Sequence, residues 1–123
     1  MAELAALLMQ STKVAGVTAA VVVGKDGLLL HSEHGVGAHD LDVEAIGALA
    51  CSVIPPAEHV LAEIGPGRLL EVVLEHEGGL ILIRPLGDFA VLSLAADAGS
   101  NLGLLRLAIR RLGAQVAEVL ATS

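Results

Sequence analysis

GPGRLLEVVLEHEGGLILIRPLGDFAVLSLAADAGSNLGLLRLAIRR, running from Gly65 to Arg111, decides the fold. Gly78-Gly79 and Gly87-Asp88 mark turns between apolar runs of strand length, and Ser100 or Asn101 stands where a cap precedes residues of helical apolar spacing. The stretch predicts a three-strand meander feeding a long helix. Leu70, Val72 and Leu74 alternate with Glu71, Val73 and Glu75, so the first of these strands has a partly polar face and belongs at an edge. Leu80 to Ile83 and Phe89 to Ala96 are apolar on both faces and predict interior strands. In the helix, Leu102, Leu105, Ile109, Leu112, Val116 and Val119 form the core stripe, with Arg106, Arg110 and Arg111 away from it.

Working towards the N-terminus, Leu4, Leu7 and Leu8 give a short amphipathic first helix that ends before Gly16. Val17 to Val23 is apolar on both faces and predicts a central strand. A turn at Lys25-Asp26-Gly27 leads into Leu28 to Glu33, where His31 and Glu33 interrupt one face, as an edge strand requires. With strands two and three at the edges, the only order open to a hairpin followed by a meander is 2-1-5-4-3. The expected fold is α+β, an α/β/α sandwich around a five-stranded antiparallel sheet. At this length one domain over residues 1–123 accounts for the whole chain.

Between Asp40 and Gly65 lies a helical segment that is apolar nearly all round. Val43, Gly47, Ala50 and Ile54 form one stripe, and Ile46, Leu49 and Val53 another. A helix with two apolar faces needs two surfaces to cover them. The sheet supplies one and a second chain the other, with Gly47, Ala48 and Ala50 small enough for close helix approach. Val43, Gly47, Ala50 and Ile54 are therefore expected at a dimer interface, together with Leu69, Glu71, Val73 and Glu75 of the third strand. Across a two-fold axis, the register that opposes Glu71 to Val73 and Leu69 to Glu75 avoids facing carboxylates. Pro55 and Pro56 are expected to break or kink the helix.

Composition removes several classes of function. A net charge of −7 and a single aromatic residue, Phe89, argue against nucleic acid, which favours basic surfaces and aromatic stacking. Mean hydropathy is high, at +0.76, but the longest uncharged runs, such as Ala45 to Ala57, fall short of the ~20 residues of a spanning helix, so no membrane insertion is expected. The acidic N-terminus, with Glu3 and no basic flank, does not read as a secretory signal, and a cytoplasmic location is expected. Cys51 is the sole cysteine and reads as a small buried residue.

Candidate chemistry is sparse. His31, His34 and His39 with Asp40 form a polar cluster, yet alternation sends His31 and His34 to opposite faces of a strand, which is poor metal-ligand spacing. GKDG, Gly24 to Gly27, lacks the spacing of a phosphate loop and leads into a strand, so it reads as a hairpin turn. Glu71, Glu75 and Glu77 read as solvated edge charge, and no serine has a nucleophile-elbow context. No catalytic residue, metal or cofactor is expected.

The order of elements, with GSNLGLLRLAIRR at Gly99 to Arg111 and AGVTAAVVVGKDGLLLHSE at Ala15 to Glu33, resembles the roadblock/dynein light chain family. That resemblance implies the middle helix on one face of the sheet and the first and last helices on the other. It also implies homodimers, or heterodimers with another roadblock-like chain, formed through the middle helix and the third strand. The implied role is non-catalytic: a regulator or scaffold that binds a Ras-like small GTPase, similar to the bacterial Mgl-type regulators of polarity and motility. Arg106, Arg110 and Arg111 are the candidate partner-binding residues. A small-ligand sensor built on a related helix-covered sheet is the alternative, and it requires a cavity. An enzyme ranks third.

Overall fold

A computed structural model describes residues 2–35 and 40–122. The elements are α1 (Ala2–Ser11), β1 (Val17–Gly24), β2 (Leu29–His34), α2 (Val43–Ile64), β3 (Val72–His76), β4 (Gly79–Leu86), β5 (Ala90–Asp97) and α3 (Leu102–Ala121). All neighbouring strands are antiparallel, and the sheet order is β2-β1-β5-β4-β3. The order, the edges at β2 and β3 and the fold class are those the sequence predicts.

Side-chain alternation along the inner strands builds two cores. Ala20 and Val22 of β1, Leu80 and Leu82 of β4 and Leu92 and Leu94 of β5 point one way, onto Leu4 and Leu8 of α1 and Leu105, Ile109 and Val116 of α3. Val21, Val23, Ile83 and Val91 point the other way, onto Ala50 of α2. Helices on both faces explain why β1, β4 and β5 carry so little polarity. Each fully buried leucine or valine contributes about 1.5–3 kcal/mol by leaving water.

Local chemistry sets the ends of the elements. Asn101 accepts a hydrogen bond from the Leu104 amide at 3.1 Å and caps α3, and Asp42 does the same for the Ala45 amide at 3.0 Å ahead of α2. In the β1–β2 turn Gly27 adopts φ +86°, open to glycine at little strain, while Asp26 Oδ1 accepts from the Leu28 amide.

Two features depart from expectation. β4 runs to Leu86 instead of stopping near Ile83, because Arg84, Pro85 and Leu86 stay paired with Leu92, Val91 and Ala90 of β5. Pro85 is tolerated there because β3 pairing ends at Val72 opposite Ile83, which leaves β4 bordered on one side only. The second departure is α2, which continues unbroken through Pro55 and Pro56. Both prolines are exposed, and the two amides they remove would have bonded the carbonyls of half-buried Cys51 and exposed Ser52.

Candidate protein-interaction site

The apolar surplus of α2 resolves into two stripes with different neighbours. Gly47 is buried so closely against β1 that a Cβ there would collide with Val23 Cγ1, and Ala50 is 3% exposed. Val43 and Ile54 pack on the same core. The stripe expected at a dimer interface, Val43, Gly47, Ala50 and Ile54, is thus turned onto the chain's own sheet. Its small residues serve helix-on-sheet approach, and this corrects the helix part of the expected interface.

The other stripe is the one left uncovered. Leu49, Val60 and Ile64 are 65%, 59% and 78% exposed, with Ile46 and Val53 half-buried between them and the sheet. By length and composition alone α2 is apolar enough to cross a membrane, which corrects the expectation that no segment is. Its excess apolarity sits in this outer stripe. α2 lies across β1, β5 and, more lightly, β2, leaving the β3 side of the sheet bare. On that bare shelf Val72 is half-buried, Leu74 is exposed, and so is Leu70 just ahead of the strand. Half-buried Ile46 of α2 lines the same cleft as Ile81 of β4.

On the opposite face of β3 the residues have separate fates. Val73 packs into the α1/α3 core, Leu69 is half-buried and Glu75 is exposed. Glu71 is held inside the molecule instead of in solvent: its side chain is 6% exposed, Arg106 Nε donates to Oε2 at 2.8 Å, and Arg84 Nη1 approaches Oε1 at 3.4 Å. Arg84 also donates to the Leu70 carbonyl at 3.3 Å. The reading of Glu71 as solvated edge charge is corrected, and Arg106 is withdrawn from the free basic patch. Arg110 and Arg111 remain exposed, and neither forms an ion pair among the described residues.

Among the described residues, the remaining polar groups lie apart from one another, His31 and Glu33 excepted. His31 pairs across from Val22 on the α1/α3 side, whereas His34 pairs across from Ala19 on the other. His34 Nε2 lies 3.2 Å from the Leu41 carbonyl. His31 Nε2 stands 3.5 Å from Glu33 Oε1, an ion-pair distance without hydrogen-bond geometry. His39 lies outside the described residues. Among the described residues no group of three His, Cys, Asp or Glu side chains has metal-ligand geometry. Cys51 Sγ donates to the Gly24 carbonyl at 3.6 Å, and burial, then the charge of Asp26, push its pKa upward. A surface cleft of about 580 Å³ is lined by Thr18, Asp40, Ile46, His76, Ile81 and Asp97.

The profile of the Roadblock/LC7 domain matches residues 3–96, more than half of the sequence. The chain belongs to the Roadblock/LC7 family. A Methanocaldococcus jannaschii relative, the uncharacterized protein MJ0310, is 36% identical over 105 residues, covering 85% of this chain and 89% of that protein. Among solved structures, the gliding protein MglB from Thermus thermophilus superposes with a TM-score of 0.91 at 18% identity, covering 99% of this chain and 91% of the other. Myxococcus xanthus MglB superposes with a TM-score of 0.84 at 20% identity, covering 98% and 96%. At these identities the likeness establishes the fold that this Roadblock/LC7 chain shares with them.

What sequence reasoning missed in this Roadblock/LC7 domain is the phase of α2. Leu49, Val53, Val60 and Ile64 recur at spacings of four, seven and four, a full helical stripe whose second half lies beyond the prolines. Expecting a break at Pro55 cut that stripe in two.

Proposed function

We propose that this chain is a non-catalytic dimeric regulator or scaffold that binds a Ras-like small GTPase. The observation that carries the dimer is the half-covered sheet: α2 exposes an aliphatic stripe and the β3 side of the sheet an apolar shelf. A two-fold axis at the β3 edge sets each copy's stripe and shelf against the other's, covering both apolar surfaces and pairing the free strand edge. A second protein chain suits this stripe better than lipid does, because the inward stripe of α2 is already packed on the sheet and Glu58, His59 and Glu63 interrupt its outer surface. The β3 contribution is carried by the backbone edge and by Leu70 and Leu74. Leu69, Glu71, Val73 and Glu75 flank the pairing, in the register that opposes Glu71 to Val73.

Membership of the Roadblock/LC7 family and a fold shared with the MglB proteins support the GTPase reading. The described hollows are open surface clefts, which gives a ligand-sensing role less support. The test is co-elution of the purified chain with each Ras-like GTPase of its source genome, loaded with GDP or with a non-hydrolysable GTP analogue. Binding to one nucleotide state supports the proposal, and binding to neither overturns it. Leu49→Asp is the interface-breaking control, since Leu49 is exposed on the outer stripe of α2.

A further inference from the structure

We infer that the outer face of α3 is a second docking surface, built for an acidic, amphipathic helix of a partner protein. Leu104 and Leu107 are 55% and 61% exposed, one helical turn apart. Arg111 lies four residues past Leu107, and Arg110 lies beside it, so two cations border an apolar patch on one helix face. Glu71 occupies Arg106, whereas Arg110 and Arg111 make no ion pair among the described residues.

Charge is distributed unevenly about the sheet. The stretch from Asp40 to Ile64 contains Asp40, Asp42, Glu44, Glu58 and Glu63 and no lysine or arginine. α3 carries Arg106, Arg110 and Arg111 against one acid, Glu118. In a chain of net charge −7, this makes the α3 face a local basic region on the side opposite α2. Packing two α3 faces together would bring like charges into contact, so a second copy is a poor occupant. A helix with a leucine face and flanking carboxylates matches both elements of the patch, the leucines supplying buried area and the carboxylates pairing with the arginines. Because α2 and α3 lie on opposite faces of the sheet, such a partner binds without displacing the proposed dimer contact. Docking at α3 does not depend on the GTPase reading.

The probe is a fluorescein-labelled peptide of about 20 residues, long enough to form several helical turns, with leucines along one face and glutamates flanking them. Its control carries lysines in place of the glutamates. Anisotropy is measured with the wild type, R110E/R111E and L104S/L107S, each checked for folding by circular dichroism. The expected result is saturable binding of the acidic peptide alone, weakened about tenfold or more by either double variant and by raising salt from about 50 to about 200 mM. Failure of the wild type to bind, equal binding of the two peptides, or affinities untouched by both variants would overturn the assignment. Co-sedimentation with phosphatidylserine vesicles in the absence of peptide binding would also overturn it, in favour of a membrane contact.

Discussion

At Glu71 a single carboxylate joins the leading end of β3 to β4 through Arg84 and to α3 through Arg106. Both arginines are partly solvated, which screens the interaction, but the carboxylate itself is nearly covered. Glu71→Ala is expected to destabilise the chain by about 1–2 kcal/mol in urea unfolding, because it leaves two cations without their shared partner. A double-mutant cycle with Arg106→Ala should return a coupling of about 1 kcal/mol, and a coupling near zero would show the bridge to be ornamental. Cys51 offers a pH readout. Its ordinary value of 9.0 is raised in the folded state, so folding favours the neutral thiol. That contribution is complete below the unfolded pKa and is lost as pH rises through the higher folded one, so stability should decline above about pH 9. Near pH 8, iodoacetamide should alkylate Cys51 more slowly in the native chain than in urea; equal rates would contradict this.

The strands were legible in the sequence because each has a clear period and a marked turn: alternation placed β1, β4 and β5 inside, and the carboxylates of β3 placed it outside. α2 was legible as a helix but not in its phase. A helix apolar nearly all round gives no unique inward direction, and Gly47 and Ala50 suit approach to a sheet as well as approach to a helix. The collision that awaits a Cβ at Gly47 and the burial of Ala50 decide between them. Gly47→Val is therefore expected to lower stability by about 1–3 kcal/mol, measured by thermal unfolding, because α2 must lift from Val21 and Val23. An unchanged midpoint would return the stripe to the interface. The prolines misled for a related reason: local propensity argues for a break, but a helix anchored on the sheet by Val43 through Ile54 runs on past two missing amides. Glu71 was illegible because its arginines lie 13 and 35 residues away in sequence.

Across the whole molecule, the two faces of the sheet are finished differently. α1 and α3 together close one core, whereas α2 alone leaves the β3 side of the other open. A monomer with Leu49, Val60, Ile64, Leu70 and Leu74 all exposed presents apolar surface on α2 and at β3 of the sort that marks interfaces. The central claim is that a second copy covers it. Light scattering coupled to size exclusion tests this most directly. Wild type should elute as a particle of about twice the 12.5 kDa chain mass, and the Leu49→Asp, Leu74→Asp double variant should elute as a folded monomer. A wild-type monomer at micromolar concentration, or a double variant that stays dimeric, would contradict the account.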